Sequence, residues 1–199
     1  EYHDVFVLSM YQEHGDGNYQ LYKNKPETII QGKKKYIQQA FKVVTLLKEY
    51  LNKNKIDILI TCSEMLTPYA YLATKTNKIS FICWCHSEKG QEKFVDLFKS
   101  FAAKKADCIV ALTEINKNVF INELHAKNKV VSIPNPIDPK LFDKVNEYNL
   151  ESNKIITVGR FCFQKYYEKL VEVATIVFKK HPEWNWDIYG DGPDMEKIS

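Results

Sequence analysis

The run Val158-Gly159-Arg160-Phe161-Cys162-Phe163-Gln164-Lys165 puts two cations on one short loop between an apolar stretch and an amphipathic one. Gly159 lets the backbone turn sharply. Arg160 offers a planar fork for phosphate oxygens, and Lys165 a mobile point charge. Such a pair suits a diphosphate, most of all one that departs and gathers negative charge. On spacing alone, a solvated loop with two surface cations reads equally well. His86, in Trp84-Cys85-His86-Ser87, follows an apolar run and is a second candidate; a lone histidine is more often structural than functional. Gly190-Asp191-Gly192-Pro193-Asp194-Met195 begins like the dinucleotide fingerprint G-x-G-x-x-G, but Met195 occupies the third glycine position. Pro193 is best explained as pre-organisation of a first helical turn.

Several signatures are missing. No D-x-D pair exists to clamp a metal-bound diphosphate, and there is no phosphate-binding G-x-x-x-x-G-K-[ST], no G-x-S-x-G and no H-E-x-x-H. Cys83 and Cys85 form C-x-C without a second pair or a completing histidine, so no metal site is expected. Five cysteines, Cys62, Cys83, Cys85, Cys108 and Cys162, are an odd number, and four of them sit in or beside apolar runs. Free thiols of that kind fit a reducing cytoplasm.

The elements that must carry these residues alternate. Strands are expected at 4–9, 56–61, 79–84, 108–112 and 129–133. Between them, Tyr36, Ile37, Ala40, Phe41, Val44, Leu47 and Leu51 recur at three- and four-residue steps and predict a helix. Thr67-Pro68 opens another, 92–105 forms a third, and Thr113 caps a fourth that runs to about 124. Pro134-Asn135-Pro136 ends this series. The polar segment 136–153 reads as a connection, and the Asn135-Pro136-Ile137-Asp138 run at its start as a hinge. A second series follows: strand 154–158, loop 159–165, helix 166–180, strand 186–189 and a helix opened by Gly190-Asp191-Gly192-Pro193. Strands separated by helices mean parallel sheets covered on both faces, hence an α/β fold. Two strands in about fifty residues fall short of the ~100 residues of a usual domain, so the second unit is expected to be incomplete. The expected domains are residues 1–142, Rossmann-like and lacking its first elements, and residues 143–199, a linker and the start of a second Rossmann-like domain.

A 199-residue chain with 45% hydrophobic and 27% charged residues can bury a core. A net charge of +3 is too small to imply nucleic acid as a partner. No apolar run approaches the ~18–20 residues that span a bilayer, and no signal-peptide pattern follows Glu1. Lys33, Lys34 and Lys35 could touch an anionic membrane surface, although a solvated helix face is the simpler reading.

The order V-G-R-x-x-x-Q-K, L-V-E-V-A and H-P-E-W-x-W-x-I-Y-G-D-G-P, preceded by V-A-L-T-E and S-I-P-N-P-I-D, resembles family 4 retaining glycosyltransferases. The likeness runs from about residue 79 to the end. It implies a GT-B enzyme, with two Rossmann-like domains facing a cleft, that moves a sugar from a nucleotide-diphosphate donor to a glycan or lipid-linked acceptor. Retention of anomeric configuration and a role in cell-surface polysaccharide synthesis come with it, as does a cytoplasmic place at the inner membrane face. The resemblance assigns donor-diphosphate binding to Gly159, Arg160 and Lys165. It sets His86 beside the transferred sugar as the catalytic candidate, with Ser87, Gly190 and Gly192 as weaker donor-cleft candidates. Tyr166 stands where the family usually has Gly. The family's E-x-x-x-x-x-x-x-E element and its amino-terminal Gly-rich loop are expected beyond the ends of the chain, which by itself is then expected to be inactive. No metal or other cofactor is implied. The alternatives are a non-catalytic nucleotide-sugar-binding module, a GT-B nucleotide-sugar epimerase and, last, an NAD-dependent Rossmann enzyme.

Overall fold

The computed structural model describes residues 3–11, 27–30, 40–90, 93–144 and 152–198. The chain divides into two compact units, Glu1–Pro136 and Ile137–Ser199. The division falls inside the proline-containing run read as a hinge.

In the first unit, strands β1 (Leu8–Tyr11) and β2 (Glu27–Ile30) form a parallel pair. Helix α1 (Ala40–Lys53) buries Val43, Leu47 and Leu51, the i, i+4, i+8 stripe of an amphipathic helix. A four-stranded parallel sheet follows, in the order β3 (Ile58–Thr61), β4 (Ser80–Cys85), β5 (Cys108–Ala111), β6 (Lys129–Ser132). Its crossovers carry α2 (Thr67–Thr74), α3 (Lys93–Lys105) and α4 (Glu114–Asn118). α2 starts at Thr67 with Pro68 in its first turn, where a missing N–H costs nothing. Thr113 caps α4 by accepting from the Asn116 amide at 3.1 Å.

Phe81, Cys83 and Cys85 alternate onto one buried face of β4 and meet Ala102, Ala103, Ala106, Ile109 and Phe120. The alanines let α3 approach the strand closely, and each large side chain here contributes about 1.5–3 kcal/mol by leaving water. At the opposite end of β4, the Asp107 carboxylate accepts from the Phe81 amide at 2.7 Å while the Asp107 amide donates to the Phe81 carbonyl at 2.9 Å. That reciprocal pair fixes β4 against the turn before β5.

The second unit holds β7 (Lys154–Val158) and β8 (Asn185–Tyr189), parallel and in register from Lys154 beside Asn185 to Val158 beside Tyr189. The Trp186 indole donates to the Thr157 hydroxyl at 2.9 Å across the pair. Helix α5 (Tyr167–Lys180) connects the strands and α6 (Met195–Ile198) follows them. Both strands alternate between half-buried and exposed residues, with Ile156 62% and Val158 77% exposed.

Several expectations shift. The first strand lies at 8–11 rather than 4–9, and β2 lies where no strand was expected. The helix expected to reach 124 gives way at Val119–Glu123 to a wider π turn. The connection 136–153 contains a 3-10 helix, Pro139–Lys144. Residues 36–39 of the first predicted helix and the Lys33–Lys35 cluster lie outside the described residues.

Candidate functional site

Each candidate cluster sits at the carboxyl end of a parallel strand, the edge at which open α/β sheets bind ligands. His86 and Ser87 follow β4 directly. The His86 ring is exposed and leans on Trp84, with centroids 5.2 Å apart and planes tilted by 36°. Beneath this segment lies Glu64, in the first turn of a 3-10 helix (Glu64–Leu66) whose cap Ser63 accepts from the Met65 amide at 3.3 Å. Glu64 is only 3% exposed. Its Oε1 accepts from the Ser87 hydroxyl at 2.8 Å, from the Ser87 amide at 3.2 Å and from the Cys85 thiol. Burial pushes this carboxyl up. Hydrogen bonds from Cys85, from its own amide and from Ser87 outweigh burial and hold it below the ordinary range. Burial, then the bond to Glu64, push the Cys85 thiol far up, so it stays protonated and donating.

The rest of the loop is tied down by two further carboxylates. Asp96 accepts from the Gly90 amide at 3.0 Å, and Lys89 pairs with Glu123 at 2.5 Å. Lys99, 1% exposed, brings its ammonium to 3.6 Å from Asp96 and, among the described residues, has no hydrogen-bond partner.

The second cluster belongs to the second unit. Gly159, Arg160 and Lys165 follow β7; Gly190 and Gly192 follow β8. Backbone bonds join the two loops: the Gly159 amide donates to Tyr189 at 3.0 Å and the Phe161 amide to Asp191 at 2.9 Å. Phe161 is buried edge-on against Tyr167, with ring centroids 4.7 Å apart. Anchoring Phe161 leaves its neighbour Arg160 exposed, and Lys165, at the end of the 3-10 turn Phe163–Lys165, is exposed as well. Among the described residues, neither cationic side chain has a hydrogen-bond or ion-pair partner.

The glycines of this cluster have a packing reason. A Cβ on Gly190 would stand 2.0 Å from the Gly159 carbonyl oxygen, and one on Gly192 2.2 Å from that of Phe161. Tyr166, in place of the family's usual Gly, adopts the left-handed conformation, with φ 54° and ψ 44°. The turn therefore keeps a glycine-like geometry at the cost of strain, about 1–2 kcal/mol for an L residue.

The structure thus brings His86 and Ser87 together in one unit and the cationic and glycine candidates together in the other. Sequence reasoning passed over Glu64, because nothing in Cys62-Ser63-Glu64 marks a buried carboxylate. Among the described residues no group of three or more His, Cys, Asp or Glu could hold a metal ion. No described helix is long and apolar enough to cross a membrane.

The family model for Glycosyltransferase Family 4 matches residues 1–141. An uncharacterized glycosyltransferase of Haemophilus influenzae is 30% identical over 161 residues, which are 79% of this chain and 45% of the relative. The amylovoran biosynthesis glycosyltransferase AmsD of Erwinia amylovora is 25% identical over 170 residues, 80% of this chain and 47% of the relative. The chain therefore spans about half the length of these relatives. Among solved structures, the lipopolysaccharide outer core galactosyltransferase WaaB in its apo form superposes with a TM-score of 0.63 at 19% identity, covering 95% of this chain and 53% of that one. The likeness establishes the fold, an α/β architecture of the GT-B type.

Proposed function

Because the chain belongs to glycosyltransferase family 4, we propose that it is part of a retaining enzyme that transfers a sugar from a nucleoside-diphosphate donor. In this reading Arg160 and Lys165 hold the diphosphate and His86 touches the transferred sugar. Their free, exposed charges on a loop anchored by Phe161 are the observation that carries the reading. An enzyme that must accept an anion gains nothing from cations already neutralised by the protein. As the bond between the anomeric carbon and the diphosphate breaks, negative charge builds on the leaving oxygens, and two fixed cations stabilise it. The acceptor hydroxyl forms the new bond on the same face of the sugar, and its proton passes to the departing diphosphate oxygen. His86 contributes a hydrogen bond to a sugar hydroxyl rather than general acid–base work.

The acceptor we propose is a glycan or lipid-linked saccharide, in polysaccharide synthesis at the cytoplasmic face of a membrane. The AmsD relative, a biosynthetic glycosyltransferase, supports that class. The two side-chain cations supply the positive charge that a metal would otherwise bring, so turnover is expected to survive chelation.

We also propose that residues 1–199 hold only the beginning of the donor-binding domain. β7 and β8 support this, because parallel strands are ordinarily covered on both faces and here Ile156 and Val158 are not. Residues 1–199 alone are then expected to be inactive.

The test is donor turnover by the full-length protein with Arg160→Ala and Lys165→Ala. Each is expected to lower kcat about 100-fold, the usual cost of removing one transition-state charge partner. Unchanged turnover in both variants would remove the reading.

A further inference from the structure

A carboxylate with 3% exposure is costly to bury unless its lone pairs are well used. Glu64 uses one oxygen for three donors, and all three belong to the residues on either side of His86: the Cys85 thiol, the Ser87 amide and the Ser87 hydroxyl. Glu64 itself is not part of the strand or loop it grips. It comes from the preceding crossover, in a 3-10 turn fixed by its Ser63 cap and running directly into α2. We infer that Glu64 is a positioning residue for the transfer reaction, gripping the residues on both sides of His86, Cys85 by its thiol and Ser87 by its hydroxyl and backbone amide, so that the exposed imidazole is presented in one orientation. The inference rests on the role proposed above for His86.

The clamp has a consequence for Ser87. Its hydroxyl hydrogen is committed to Glu64 at 2.8 Å, so towards a substrate Ser87 has only acceptor capacity. Ser87 is therefore a clamp partner first, and any contact it makes with a sugar hydroxyl has the sugar donating. Among the described residues the imidazole has no such tie and lies against the Trp84 ring, centroids 5.2 Å apart. Orientation of His86 thus comes from its backbone and from Trp84, and Glu64 controls the first of these.

The experiment uses the full-length protein with Glu64→Asp, Glu64→Gln and His86→Ala, plus the double variants of His86→Ala with each Glu64 change. Glu64→Asp keeps the charge but draws the accepting oxygen back by one methylene, whereas Glu64→Gln keeps an accepting oxygen where the clamp needs it. Glu64→Asp is expected to lower kcat about 100-fold, the cost of a misplacement near 1 Å, with the KM for donor little changed because the diphosphate loop is untouched. Glu64→Gln is expected to retain kcat within a few-fold. In the His86→Ala background, Glu64→Asp is expected to lower kcat no further. Wild-type kcat in Glu64→Asp, or a loss of equal size with and without His86, would overturn the inference. A residue that serves the fold alone would give that second, additive pattern. Full activity in the His86→Ala single variant would instead sink the role proposed for His86, a result read without reference to Glu64.

Discussion

The loop that leaves β4 and the loop that leaves β7 both follow the carboxyl end of a parallel strand, yet they are held by different means. After β4, side chains do the holding: Glu64 grips Ser87, Asp96 grips Gly90 and Glu123 pairs with Lys89. After β7, backbone does it: Gly159 and Phe161 bond to the β8 end and its following loop, and glycines permit the approach. The strands differ in the same sense. β4 has its Phe81, Cys83 and Cys85 face fully buried, whereas β7 leaves Val158 77% exposed. On the reading proposed for His86, the side-chain clamp would orient its ring. The backbone-stitched loop leaves Arg160 and Lys165 exposed and, among the described residues, without a partner.

The comparison breaks most visibly at the glycines. Gly190→Ala puts a methyl group against the Gly159 carbonyl, so unfolding of the second unit should become easier by at least about 3 kcal/mol, the upper range of overpacking. Gly90→Ala, at φ +90° but with nothing within 4 Å of the added carbon, should cost only about 1–2 kcal/mol. Denaturant unfolding of both variants checks this pair. Equal costs would mean that the β7 loop is not held by close backbone approach.

Hydrogen exchange sharpens the contrast in burial. In residues 1–199 alone, amides of β7 and β8 should exchange at least about tenfold faster than in the full-length protein, a difference of about 1.4 kcal/mol in local opening. Amides of β4 should not change. Similar protection of β7 in both would argue that its exposed face needs no further cover.

The pH dependence tests the first unit more gently. Glu64 titrates below its ordinary range when folded, so the stability it adds is present above the unfolded carboxyl value, 4.5, and is lost as pH falls through the lower folded value. Acid unfolding of the first unit should therefore shift in Glu64→Gln. At the alkaline end, burial raises the Cys83 thiol to about 11, so its contribution is intact below the ordinary 9.0 and fades as pH rises through about 11. Thiol labelling at pH 8 should accordingly spare Cys83 and find the exposed Cys62 first.

The smallest effect belongs to Tyr166. Tyr166→Gly relieves a left-handed L residue but adds backbone freedom to the unfolded chain, so a net gain of under about 1 kcal/mol is expected, read as a small rise in Tm.

Much of this was legible in the residues. Apolar runs separated by helical periods announced parallel strands, and β4 at 80–85 came out one residue from its expected place. The cationic loop was legible because Gly159, Arg160 and Lys165 are close in sequence. Glu64 was not, because its partners Cys85 and Ser87 lie 21 and 23 residues away and meet it only once β3 and β4 are paired. β2 was hidden because Glu27-Thr28-Ile29-Ile30 holds only two apolar residues, whereas the equally short β3 and β5 are almost wholly apolar. The left-handed turn at Tyr166 was equally hidden, since local propensity argues against an aromatic residue there, and backbone hydrogen bonds with Phe163 and Lys169 accompany it in the fold.

The central claim is that Arg160 and Lys165 grip a diphosphate. Calorimetric titration of the full-length protein with UDP, GDP and ADP, each against its bare nucleoside, tests it most directly. At least one nucleoside diphosphate should bind, its nucleoside should bind far more weakly, and Arg160→Ala with Lys165→Ala should abolish the difference between them. Diphosphate binding of unaltered strength in that double variant would contradict the account.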